Sequence, residues 1–254
     1  MVINPYTFVT SPAFSTEAQN YFDRLDTAGD TTYTTYKQPL ANYIDGLVTL
    51  GGAYWDTMLS STSFVGVGIQ GVTVPLRDGM TVPTNNNFVA GDLNQLTGLK
   101  GNGSTKYLGT GLNATDLSQN DASISVYITT GDTASAYLAG AFSGGDVIAM
   151  RDLGSNCQVD MFSAAAGSFG GKPTSGILGV SRVDSANQHR RANQADYNEA
   201  RSSVAAVSSA LTVFASSGAA HTDARLATYH VGPALTLSTL EALQATLISE
   251  IAAI

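Results

Sequence analysis

Apolar residues recur at helical spacing at both ends of the chain and at strand spacing between them. Phe14, Ala18, Tyr21, Phe22 and Leu25 repeat every three or four residues, the period of one helix face. Ser15 stands where an N-cap belongs, and Gly29 where the helix stops. After a threonine-rich linker over 31–35, Leu40, Ile44, Leu47 and Val48 form a second stripe. Pro39 sits near its first turn, where a missing N–H costs little, and Gly51 and Gly52 end it. Trp55 and Met58 predict one further short turn. At the other end Leu240, Leu243, Leu247, Ile251 and Ile254 form a third stripe, and Ser238 with Glu241 has the spacing of a capping box. None of these helices builds a core alone, so each must lie against something larger.

From about residue 64 the period becomes two. Ile124, Val126 and Ile128 alternate with Ser123, Ser125 and Tyr127, the pattern of a half-buried strand. Short runs of the same kind follow at Ala136–Phe142, Val147–Met150, Gln158–Phe162, Ile177–Ser181, Leu211–Ala215 and Leu226–Val231. Gly, Asn and Asp punctuate them, as at Gly131-Asp132 and Gly170-Gly171. Many short strands without intervening helices predict a sandwich or barrel. No period of 20–50 residues marks a repeat array.

Particular residues then narrow the class. The run Gly98–Asn113, reading GLKGNGSTKYLGTGLN, resembles the Gly-x-x-Gly-(Asp/Asn)-Gly-Ser-x-x-Tyr-x-x-(Thr/Ser) segment that opens laminin-G-like domains of bacteriophage particle proteins. Gln119–Tyr127 resembles the next strand of those proteins, Gly179–Arg182 a later one, and Thr222–Gly232 the penultimate strand that leads into a terminal helix. Tyr54–Met58 resembles their lead-in helix. The resemblance covers roughly residues 53–254. It implies a mainly β fold, a two-sheet antiparallel jelly-roll sandwich of the concanavalin/laminin-G type, with short N-terminal helices and a C-terminal helix over 239–254. Residues 1–52 lie outside the resemblance and read as an N-terminal arm and helices, serving as an anchor or a packing extension.

Composition trims the list of functions. Of 254 residues 43% are hydrophobic and only 13% charged, with a net charge of -8. A dispersed acidic surface argues against nucleic acid, which needs clustered Lys and Arg. The basic cluster Arg182, His189, Arg190 and Arg191 is flanked by Asp184 and Asp196 and reads as a solvated loop, or as a contact for an acidic neighbour. Cys157 has no disulfide partner, which fits assembly in a reducing host cytoplasm. No signal-peptide pattern opens the chain and no run of about 20 apolar residues predicts a membrane span.

Catalytic chemistry is thinly represented. Glycoside hydrolysis needs two carboxylates facing one cleft. The four glutamates, Glu17, Glu199, Glu241 and Glu250, fall in end helices or a loop, and no strand run carries two carboxylates at i, i+2. His189, His221 and His230 share no zinc spacing; His221 and Asp223, two apart, read as a structural loop-to-strand junction. Calcium is the possible metal, because laminin-G domains sometimes hold it on loop carboxylates; Asp116, Asp121, Asp132 and Asp146 are its candidates. Tyr107 and Tyr127 are the glycan-contact candidates, each with an apolar ring and a polar tip. Gly101-Asn102-Gly103 lacks a phosphate-loop ending and reads as a hairpin turn.

The resulting expectation is a non-enzymatic structural protein of a phage virion, a capsid decoration or a tail-fibre or spike component. A lectin-like module for host-surface glycans is the alternative, and a glycan hydrolase the third reading. No catalytic residue and no resident cofactor is expected. The partners would be other virion proteins and copies of itself, a trimer first. Pro5, Tyr6 and Phe8 in the arm and Leu247, Ile251 and Ile254 in the terminal helix are the expected contact residues.

Overall fold

The computed structural model describes residues 14–50, 53–133, 135–143, 146–163 and 167–254. Helix α1 spans Thr16–Thr27, α2 Lys37–Thr49, α3 Tyr54–Thr57 and α4 Leu237–Ala252. The strands are β1 Ser60–Ser63, β2 Thr84–Asn86, β3 Leu93–Asn94, β4 Gly98–Lys100, β5 Tyr107–Asn113, β6 Ala122–Thr130, β7 Tyr137–Phe142, β8 Asp146–Asp152, β9 Cys157–Met161, β10 Ser168–Phe169, β11 Gly176–Arg182, β12 Asn187–Ala192, β13 Ala195–Ala200, β14 Ala210–Val213 and β15 Arg225–Gly232.

They form two antiparallel sheets. Sheet A runs β13-β12-β11-β6-β15-β4-β3, with β1 also paired to β15, and sheet B runs β10-β9-β8-β7-β14-β5-β2. The sheets face each other as a sandwich. Ile124, Val126 and Ile128 of β6 point into the core beside Tyr229 and Val231 of β15, in register at Val126↔Tyr229 and Ile124↔Val231. Phe214 joins Phe64 and Phe88 there, with ring centroids 5.9 and 4.9 Å away.

The other face of sheet A is covered by a third layer. Ser123 and Ser125, the polar half of the β6 alternation, are 1% exposed. Helices α2 and α4 lie over this face: Gln244 of α4 donates to Thr228 at 2.7 Å, and Tyr43 of α2 meets His230. Small residues permit the close approach. A Cβ at Gly46 of α2 would stand 2.6 Å from Leu243 of α4, and one at Gly179 of β11 3.1 Å from Leu237.

The first helix follows its sequence pattern: Ser15 accepts from the Ala18 N–H at 3.1 Å, and Ala18, Tyr21, Phe22 and Leu25 are buried. Over residues 14–50 the N-terminal segment packs against the sandwich: α1 and α2 share one continuous core with it. Thr32–Tyr36 of the expected linker is a short 3-10 helix. The expected capping box is also replaced. Helix α4 has Thr236, not Ser238, at its N-cap position, and Glu241 instead accepts from the Ile177 N–H at 2.9 Å and from Arg191 at 2.6 Å.

Candidate functional site

Strand β5 crosses from the resembling segment into sheet B. Asn102 shapes the crossing: its side-chain carbonyl accepts from the N–H groups of Ser104, Thr105 and Lys106 at 3.1, 2.9 and 3.1 Å. The expected hairpin is therefore a crossover, since β4 belongs to sheet A and β5 to sheet B. Gly101 is required by packing, as its Cβ would meet the Thr222 carbonyl oxygen at 2.1 Å.

Along β5, Leu108, Thr110 and Leu112 are buried, while Tyr107, Gly109, Gly111 and Asn113 lie on the more exposed face. Beside them runs a shallow trough of about 380 Å³. Thr84 and Asn86 of β2 form one wall, and Ser217 and Gly218 of the β14–β15 loop the other. Tyr107 is half-buried at one end, its ring 5.8 Å from that of His221.

Past His221 a second cleft of about 520 Å³ opens at the loop end of the sandwich, lined by Asn102, Ser104, Asp132, Thr133, His221 and Asp223 among others. Asp223 is held down to about 2, first by a hydrogen bond from the Asp132 carboxyl and then by the hydroxyl and N–H of Thr133. Thr222 donates to Asp132. Burial lowers the pKa of His221. Asp132 and Asp223 are thus a hydrogen-bonded pair. Glycoside hydrolysis needs carboxyl groups about 5 Å or more apart, with the sugar between them.

The calcium candidates do not converge. Asp116 and Asp121 precede β6 and Asp132 follows it, so a strand of nine residues, about 30 Å long, separates Asp121 from Asp132. Asp116 accepts from the Asn113 N–H at 2.7 Å and Asp121 from the Ala234 N–H at 2.9 Å. The side chain of Asp146 lies outside those described. Among the described residues no three His, Cys, Asp or Glu side chains gather as a metal site.

The tyrosine candidates separate as well. Tyr127 lies on sheet A, in a cleft with Arg191, Glu241 and Ala245, where burial and then Glu241 raise its pKa. It is half-covered by α4, whereas Tyr107 faces the trough.

The expected partner contacts divide too. Leu247 and Ile251 are 1% and 0% exposed and fill this chain's own core, so they are not free to hold a neighbour. Ile254 is 64% exposed. Pro5, Tyr6 and Phe8 lie outside the described residues.

The basic cluster is not a solvated loop. Arg182 is fully buried on β11 and donates to the Met161 and Arg201 carbonyls at 3.0 and 2.8 Å and to Ser163 at 3.1 Å. Arg190 stacks 4.2 Å over Phe169 and pairs with Glu199 and with Asp160 at 3.8 Å. Arg191 pairs with Asp196 at 2.8 Å as well as with Glu241. Only His189 of the four side chains is exposed, and it bonds Asn198 at 2.7 Å. Cys157 is buried and donates to the Phe169 carbonyl at 3.1 Å; burial pushes its thiol up to about 11.

The trough walls escaped sequence reasoning. Thr84, Asn86 and Ser217 lie in runs with no periodicity of their own. Gly109 and Gly111 did carry a signal: glycines two apart on a strand bare one face of it.

No protein-family model matches the chain, and no curated protein does. Among solved structures, a sialidase from Trypanosoma rangeli in complex with sialic acid is similar over 83% of this chain, at 12% identity and a TM-score of 0.54. The match takes in 38% of the sialidase, so this chain spans well under half of it. Domain 4 of an extracellular arabinanase from Geobacillus stearothermophilus, in complex with arabinotriose, matches at 11% identity and a TM-score of 0.39, over 74% of this chain and 98% of that domain. At these identities the sialidase likeness speaks for the fold: the chain is a mainly β sandwich of two antiparallel sheets with short helices near both ends.

Proposed function

We propose that this chain is a non-enzymatic structural component of a bacteriophage particle, acting through protein–protein contacts as a capsid decoration or a part of a tail fibre or spike. The observation that carries the reading is the Gly98–Asn113 segment. The residues that resemble phage laminin-G-like proteins are those that build the sheet-to-sheet crossover, with Gly101 packed on the Thr222 carbonyl and Asn102 tying the turn. The resemblance thus rests on residues with a structural task.

The non-enzymatic part is supported by what the polar groups do. Among the described residues the sheet B trough is lined by no Asp, Glu, His, Lys or Arg, and Tyr107 is its one titratable side chain. In the neighbouring cleft Asp132 and Asp223 hydrogen-bond to each other, which leaves no room for a sugar between them as glycoside hydrolysis requires.

Immunoelectron microscopy with antibodies to the purified chain tests the proposal. Labelling of intact particles at the head or at the tail supports it and assigns the location. Label confined to lysate debris, with particles bare, overturns it.

A further inference from the structure

We infer that the trough on the open face of sheet B binds a neutral saccharide, with Tyr107 as its platform and Gly109 as its floor. Gly109 lies within β5, paired to Thr84 of β2 on one side and Thr212 of β14 on the other. Its backbone is not left-handed, and a Cβ built on it would meet nothing closer than Thr84 at 3.9 Å. Neither conformation nor packing therefore accounts for the missing side chain. A glycine inside a strand marks a place where a ligand or another backbone comes close. The contrast with Gly101 is direct, since there a backbone oxygen already fills the space.

Tyr107 stands two residues earlier on the same face. Its ring is flanked by His221 and by Gly218, where a Cβ would approach the ring to 3.4 Å. Among the described residues the Tyr107 hydroxyl and the His221 ring nitrogens have no hydrogen-bond partner. An aromatic face beside unengaged polar groups suits a ring that is apolar on one side and carries hydroxyls at its edge.

Charge selects the ligand further. Among the described residues no ionic side chain lines the trough, so a sugar carboxylate bound there would lose water without gaining a cation. Asp223, which lines the adjoining cleft with His221, is held ionised by its hydrogen bonds, which disfavours an anionic sugar again. A peptide adding as a strand is excluded at β5 because both of its edges are already paired.

The test is independent of the particle role, because a particle protein can lack the site and a non-particle protein can have it. The isotope-labelled chain is titrated by NMR with neutral gluco-, galacto-, manno- and arabino-configured trisaccharides, and with a sialylated trisaccharide. At least one neutral trisaccharide is expected to shift the Gly109, Gly111 and Gly218 amides. Tyr107→Ala and Gly109→Val should each weaken that binding by about tenfold or more, and Tyr107→Phe by about threefold or less. Melting temperatures of the variants show that each is folded. Overturning results are no shift with any neutral trisaccharide at about 10 mM, shifts with the sialylated sugar alone, or binding unchanged in both Tyr107→Ala and Gly109→Val.

Discussion

The Tyr43 hydroxyl lies 2.6 Å from Nε2 of His230, fully buried in the seam between α2 and sheet A. On the other side of the ring Nδ1 faces Ser61 at 2.9 Å and the Met58 sulfur at 3.5 Å. Neutral imidazole suits this setting, with one nitrogen donating and the other accepting. Burial lowers His230 from 6.5 to about 3.

The sign of the pH effect follows. The unfolded chain takes up a proton at His230 below pH 6.5, and the folded chain only near 3. The contribution to stability is therefore complete above 6.5 and is lost as the pH falls toward 3. At pH 4.5 the loss is about 3 kcal/mol. Urea unfolding at pH 7.0 and 4.5 should show it, and His230→Gln should reduce the difference by most of that amount. An equal pH dependence in His230→Gln contradicts the assignment.

Two glycines of the crossover should be intolerant where a third is not. A Cβ at Gly98 or Gly101 would lie 2.0 or 2.1 Å from a backbone carbonyl oxygen, and Gly98 is also left-handed at φ 95°. Gly101→Ala should cost about 2 kcal/mol or more, because backbone must shift. Gly109→Ala meets only ordinary contacts and should stay within about 1 kcal/mol of the parent or exceed it. Chemical denaturation of the two variants side by side checks the pair.

Glu241 joins α4 to sheet A through the Ile177 N–H and the Arg191 guanidinium while only 6% exposed. Glu241→Ala leaves both donors without their acceptor, and should cost about 2–4 kcal/mol. Arg191 keeps Asp196, which places the loss below that of a wholly orphaned charge. Thermal melts and urea midpoints measure it.

Cys157 should be silent in the folded protein. Its thiol is buried and pushed up to about 11, so the reactive thiolate is scarce at pH 8 and inaccessible. A thiol-reactive chromophore should label the native chain about a hundredfold more slowly than the urea-unfolded chain. Comparable rates contradict the burial.

The helices and the alternating strands such as β6 were legible because their periods are local; β12 and β13, polar along most of their length, read as loop, and Glu199 lies in β13. The alternation of β6 identified its apolar face, Ile124, Val126 and Ile128. It could not say what covers Ser123 and Ser125, because α2 and α4 come from distant parts of the chain. The same limit explains Tyr127 and Tyr107, which look alike in sequence; α4 reaches one, and the other faces the trough. Arg182 and Arg190 suggested solvent because charge usually seeks it. Their partners, Met161, Asp160 and Phe169, come from sheet B, and only the packing of the two sheets brings them together.

The most direct measurement of the central claim is quantitative mass spectrometry of purified, nuclease-treated and salt-washed phage particles. The chain should be present in a fixed copy number relative to the major coat protein, from one preparation to the next. Its absence from washed particles that retain their other structural proteins would contradict the account.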